Sequence, residues 1–69
     1  MSTKTVEEKY LEDMIYHYVR VYLRSGYQVK GKLEQFDRNV IIVSVTEEHS
    51  AVVKMIYKQN ISTIELLQE

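Results

Sequence analysis

VRVYLRSGYQVKGKLEQFDRNVIIVSV, residues 19–45, decides how this chain folds. A half-buried strand hides every second residue, because successive side chains point to opposite faces of a sheet. Val19, Val21 and Leu23 fall on one face, and Tyr18, Arg20, Tyr22 and Arg24 on the other. Ser25-Gly26 makes a turn. Beyond it Tyr27, Val29, Gly31 and Leu33 share a face opposite Gln28, Lys30, Lys32 and Glu34. Gly31 has no side chain to pack, so it marks a sharp bend or a close backbone approach. Phe36 is apolar out of phase, which predicts a bulge or corner at Phe36-Asp37. Residues 40–45 are then nearly all apolar, as expected of a strand covered on both faces. The stretch predicts a meander of three strands with a strongly bent second one.

Upstream, Thr5-Val6-Glu7-Glu8 reads as a capping box, with Thr5 as N-cap and Glu8 reaching back to its N–H. The acids also suit the positive end of a helix dipole. Val6, Tyr10, Leu11, Met14 and Ile15 then recur at helical spacing, predicting a helix over about 6–16 with an apolar stripe over the sheet. Downstream, residues 46–50 read as a polar turn, 51–57 as a fourth strand, 58–60 as a tight turn and 61–66 as a fifth strand. The expected organisation is a disordered N-terminus over 1–5 and a single domain over 6–67, with its five strands within about 18–67. The fold class is mostly β: an N-terminal α-helix followed by a five-stranded, highly bent antiparallel sheet, or small open barrel. An incompletely closed barrel leaves edges, and edges pair with neighbouring chains.

Size points the same way. A chain of 69 residues buries only about 60% of its surface, so small folds gain a disulfide, a metal or a partner chain. The sequence has no cysteine and two histidines, His17 and His49, too few for a structural zinc. Oligomerisation is the route that remains. No apolar run reaches the roughly 18 residues of a membrane span, and MSTKTVEEKY lacks the apolar core of a signal peptide. The expected location is the cytoplasm, with no membrane partner.

Catalysis finds no support: there is no cysteine nucleophile, no His–carboxylate pair at useful spacing and no Gly-rich phosphate loop. Asp37 could act as a base, but a corner aspartate more often accepts nearby backbone N–H groups. His17 and His49 read as solvated or capping. No catalytic residue, metal or cofactor is expected. Net charge is −1, from nine basic and ten acidic residues, which argues mildly against bulk attraction to phosphate. The charges are segregated, however. Arg20, Arg24, Lys30 and Lys32 lie in residues 18–32 with no acid among them, while Glu7, Glu8, Glu12 and Asp13 load the helix. Six tyrosines add stacking faces with polar tips. Tyr22 and Tyr27 flank the Ser25-Gly26 turn beside Arg24 and Lys30, a pattern suited to single-stranded RNA. Ordinary half-buried strand tyrosines are the alternative.

Residues 22–31 (YLRSGYQVKG), Phe36-Asp37 and residues 56–63 (IYKQNIST) resemble the bacterial Hfq family of RNA chaperones, within the Sm/LSm superfamily. The likeness covers roughly residues 10–63. It implies a homohexameric ring closed by strand four of one subunit pairing with strand five of the next. It further implies two RNA-binding faces, through which small regulatory RNAs are paired with messenger RNAs. Carried over by position, the distal face, which takes adenine- or purine-rich RNA, would comprise Tyr22, Gly26, Tyr27, Gln28, Val29, Lys30, Lys54 and Thr63. There Tyr22 and Tyr27 would stack on adenine and Val29 would supply an apolar wall. The proximal, helix-bearing face binds uridine-rich RNA at the pore, and here would use Lys58, Gln59, Arg38 and Asn39.

The proximal set departs from the family. Gln59 stands where histidine is usual, Asn39 where an aromatic stacks, and Glu7 where a glutamine sits. Arg38 replaces another polar residue and could compensate. Ile15, Tyr16 and His17 occupy the place of an arginine-rich rim. Losing the stack at Asn39 costs about 1–3 kcal/mol per base. The resemblance thus implies a ring biased to purine-rich RNA with a weakened uridine site. The alternative is an Sm-like structural ring or protein-interaction module with little RNA affinity.

Overall fold

In the computed structural model of the chain, the structure describes residues 5–67. Residues 1–4, where a disordered N-terminus is expected, lie outside them. Thr5 belongs to the fold instead: its hydroxyl accepts from Glu8 N–H at 3.1 Å, and the Glu8 carboxylate accepts from Thr5 N–H at 3.1 Å. This capping box starts α1 (Val6–Met14). The helix ends two residues earlier than its periodicity predicts. Ile15 is already extended, and Tyr16 takes φ 68° so that its N–H can donate to the Leu33 carbonyl at 2.7 Å. A tertiary hydrogen bond thus outcompetes another helical turn.

Five strands follow: β1 (Tyr18–Leu23), β2 (Gln28–Phe36), β3 (Val40–Glu47), β4 (Ser50–Tyr57) and β5 (Ile61–Leu66). They form one antiparallel sheet in the order β4-β3-β2-β1-β5. The chain therefore returns after β4 to lay β5 beside β1, leaving β4 and β5 as the two edges. Leu11, Val19, Val21, Leu33, Ile41, Val43 and Ile56 form the core, each full burial contributing about 1.5–3 kcal/mol.

The alternation read in β1 and β2 holds, and Gly31 is a point of close approach. A Cβ there would meet the Ser44 carbonyl oxygen and sit 2.7 Å from Val43 Cγ1. The phase break also occurs, two residues before Phe36. The β2–β3 register slips between Leu33 and Gln35, so Glu34 is the extra residue and Phe36 lands opposite Ile41. β2 accordingly continues through Phe36.

Three expectations need correction. The polar turn over 46–50 is a two-residue hairpin: Glu47 pairs with Ser50, and Glu48 and His49 both take positive φ (47° and 69°), as the tightest hairpins require. β3 is not covered on both faces, because Val40 and Ile42 are only half-buried. Their cross-strand neighbours Tyr57 and Met55, with Val53 beyond, are exposed. The apolar stripe of α1 is also only partly covered. Leu11 is buried, Met14 and Ile15 pack against the core, and Val6 and Tyr10 face outward. The predicted tight turn at 58–60 is one turn of 3-10 helix, Lys58–Asn60.

Candidate nucleic-acid interface

Register collects the first group of candidates. Directly opposed residues of antiparallel strands point to the same face. β1 pairs Tyr22 with Gln28 of β2 on one side and Thr63 of β5 on the other, and Arg20 with Lys30 and Glu65. Tyr18 lies opposite Lys32, whose Nζ is 5.7 Å from the ring centroid. The outward face of β1 is thus a ladder of aromatic and cationic side chains flanked by two β5 residues.

Tyr22 is held in place. Its hydroxyl donates to Glu65 Oε1 at 3.0 Å, and Arg20 Nη1 lies 3.7 Å from the same oxygen. The Tyr22 oxygen and then the Glu65 carboxylate push the Arg20 guanidinium's pKa up. Glu65 escaped the sequence reading. Alternation puts it on the face of Thr63, but only the β1–β5 register brings that face beside Tyr22.

Gly26 closes the β1–β2 turn, with φ 101° and its N–H donating to the Leu23 carbonyl at 2.9 Å. A side chain rarely tolerates that φ, so glycine belongs there. Tyr27 follows, 75% exposed. It lies in the turn just before β2, outside the strand pairing, and its carbonyl accepts from Leu23 N–H at 2.8 Å. Val29, opposite Val21, is half-buried against the core and offers a base only part of its surface. Lys54 lies on the far edge strand, opposite Val43 and 3.1 Å from Glu47 Oε2. Within one chain, therefore, Tyr22, Gln28, Lys30 and Thr63 form one group. Tyr27, Val29 and Lys54 stand apart from it.

The second group is assembled in full. Arg38, Asn39, Lys58 and Gln59, with Tyr57, line one open cleft of about 370 Å³. Asp37 shapes it: Oδ1 accepts from Asn39 N–H at 2.7 Å and from Val40 N–H at 2.9 Å. Those two backbone bonds, and then the nearby Lys58 charge, hold its carboxyl below the ordinary range. This is the structural role that a corner aspartate usually takes. Lys58 N–H donates to the Asn39 carbonyl at 2.8 Å, tying the 3-10 turn to the β2–β3 loop. The Lys58 side chain is only 12% exposed, with Nζ 2.9 Å from Glu7 Oε1 and 5.5 Å from the Phe36 ring centroid.

Among the described residues, no cluster of His, Cys, Asp or Glu could hold a metal, and no helix is long and apolar enough to cross a membrane.

Comparison with known proteins agrees with this geometry. A model of the family described as "Hfq protein" matches residues 8–69. A crystal structure of the pleiotropic translational regulator Hfq superposes with TM-score 0.72 at 30% identity, covering 90% of this chain and 100% of that chain. A heptameric archaeal Sm protein gives 0.70 at 19% identity, over 87% of this chain and 98% of that one. The SmAP1 heptamer of P. aerophilum gives 0.74 at 19% identity, over 97% and 100%. The two heptamers speak for the fold alone. No curated protein is a match in sequence. The helix-then-meander architecture is the Sm fold, and with its family match spanning the sheet, both groups of candidates and most of α1, the chain belongs to the Hfq family of non-enzymatic RNA chaperones.

Proposed function

We propose that the chain forms a homohexameric ring that binds single-stranded, purine-rich RNA on the outward face of β1, in the cytoplasm. The ring supports regulation of messenger RNAs by small RNAs. The observation that carries the reading is the Tyr22 ring, held beside Gln28 and Thr63 by the Glu65 carboxylate. A fixed aromatic face loses little entropy when a base stacks on it, and such stacking contributes about 1–3 kcal/mol per base. Lys30 and Arg20 beside it supply charge for the backbone.

Ring closure follows from the edges. β4 and β5 are both unpaired on one side within the chain, and β4 exposes Val53, Met55 and Tyr57 beside half-buried Val40 and Ile42. Exposed apolar edge strands recruit another chain. Docking β4 of one protomer on β5 of the next would bring Lys54 toward Thr63 and Tyr22 of its neighbour, joining candidates that one chain keeps apart.

The cleft at Lys58 makes the weaker, uridine-binding site. It lacks an aromatic at Asn39, and its most enclosed cation is already paired with Glu7. A second reading has support of its own. Arg20, Lys54 and Lys58 are each matched to a carboxylate, so the ring could serve as a structural or protein-interaction module with little RNA affinity.

Fluorescence anisotropy of labelled oligoadenylate and oligouridylate at fixed salt, on a ring whose mass has been measured, tests the proposal. Adenylate binding that Tyr22→Ala weakens, with poorer uridylate binding, supports it. No binding to either by an intact ring favours the second reading.

A further inference from the structure

Lys58 sits where three open clefts meet. One is the Arg38–Asn39–Gln59 cleft, a second lies under the first turn of α1 beside Thr5, Glu8 and Arg38, and a third runs along α1 against β5. Its ammonium has three N–H donors and little room: one side faces the Phe36 ring and another meets Glu7 Oε1 at 2.9 Å. Glu7 is presented by the helix itself. Thr5 and Glu8 occupy each other in the capping box, which fixes the first turn and leaves Glu7, one of the two residues between them, against Lys58. The Glu7 carboxylate remains 60% exposed, so it can swing away without unfolding anything. The surroundings are not basic overall. Arg38 and Lys58 face Glu7, Glu8 and Asp37 across these clefts and the adjoining loop.

We propose that Glu7 is a specificity-determining latch: by holding the Lys58 ammonium, its carboxylate closes the helix-side cleft to uridine-rich RNA. This rests on the reading that the Lys58 cleft is the uridine site. Uracil presents two carbonyl acceptors to one donor. It competes with Glu7 for the N–H donors of one crowded ammonium, and its phosphates approach a carboxylate rather than a free cation. Adenylate on the outward face of β1 does not encounter the latch. The unequal affinity of the two faces thus comes from a residue on the helix as much as from the missing aromatic at Asn39.

The test is Glu7→Gln, which keeps size and a hydrogen-bonding tip while removing the charge, read by anisotropy with oligouridylate and oligoadenylate at fixed salt. A neutral amide oxygen holds the ammonium less tightly than a carboxylate and yields it to uracil, so oligouridylate tightens about tenfold and oligoadenylate is unchanged. Glu48→Gln, at the β3–β4 hairpin tip, removes the same charge elsewhere and changes neither. In Glu7→Gln/Lys58→Met the gain disappears, because it passes through the ammonium. If Glu7→Gln gains nothing while the protein still binds oligoadenylate, the latch is wrong and the outward-face reading stands. A gain that survives Lys58→Met also overturns it, since bulk charge then explains the effect. If neither the parent nor Glu7→Gln binds either oligonucleotide as an intact ring, the RNA-binding reading falls and the latch with it.

Discussion

The outward face of β1 and the cleft at Lys58 both combine cations with carboxylates, to opposite effect. On β1, Glu65 takes the Tyr22 hydroxyl and lies beside Arg20, so a carboxylate holds the half-buried Tyr22 ring by its polar edge. At Lys58, Glu7 takes the cation itself. In the reading proposed above, the same ion-pair chemistry prepares one surface and blocks the other. What decides is whether the carboxylate engages the edge of a binding group or the binding atom.

The comparison depends on a shared scaffold, and the largest expected effect is to break that. Gly31→Val drives a side chain into the Ser44 carbonyl and Val43, at a cost of about 3 kcal/mol in stability. Chemical denaturation will show the loss, and both surfaces will weaken together. Tyr22→Ala separates them: adenylate affinity falls by about 2 kcal/mol while uridylate binding holds. Equal losses for both oligonucleotides would mean that the two surfaces are not independent. Thr5→Ala removes the N-cap and costs about 1 kcal/mol of helix stability. By loosening the turn that aims Glu7, it should also raise uridylate affinity slightly, which a titration at fixed salt will detect.

Smaller again is Glu65→Gln. It retains an acceptor for Tyr22 but loses the charge that holds Arg20, and should lower adenylate affinity about twofold. A tenfold loss would make Glu65 a direct contact rather than a positioning residue.

Acid should act on the Lys58 side first. Asp37 and Glu8 are both held below the ordinary carboxylate range, Asp37 by the Asn39 and Val40 N–H groups and Glu8 by Thr5. A depressed folded value means that the stability they add is present above about pH 4 and is lost as pH falls through those values. The exchange protection of the Asn39 and Val40 amides, taken relative to the intrinsic rate at each pH, should therefore fall in acid before that of Tyr22 does.

Much of this was legible in local patterns. Period-two alternation marked β1 and β2, Thr5 and Glu8 announced the helix start, and Gly31 announced the close approach of β3. The helix end was not legible, since nothing near Tyr16 signals a left-handed residue and its hydrogen-bond partner, Leu33, lies far along the chain. Nor was the hairpin at Glu48-His49, which lacks the Asn-Gly or Asp-Gly pair that usually advertises two residues at positive φ.

The candidate sites divide in the same way. Arg38, Asn39, Lys58 and Gln59 were named from the likeness of short motifs, and the fold places all four in one cleft. Tyr22 and Tyr27 were named together, yet the register pairs Tyr22 with Gln28 and Thr63, while Tyr27 lies in the turn outside that pairing. The two carboxylates that give the surfaces their character could not be paired in advance. Glu65 meets Tyr22 across 43 positions of sequence and Glu7 meets Lys58 across 51. Periodicity and capping depend on neighbours a few residues apart, so the sequence by itself determined which elements form and which faces are apolar. Laying β5 beside β1, slipping the β2 register at Glu34 and aiming the first turn of α1 at Lys58 depend on hydrogen bonds and packing between distant segments. Those choices belong to the tertiary structure alone.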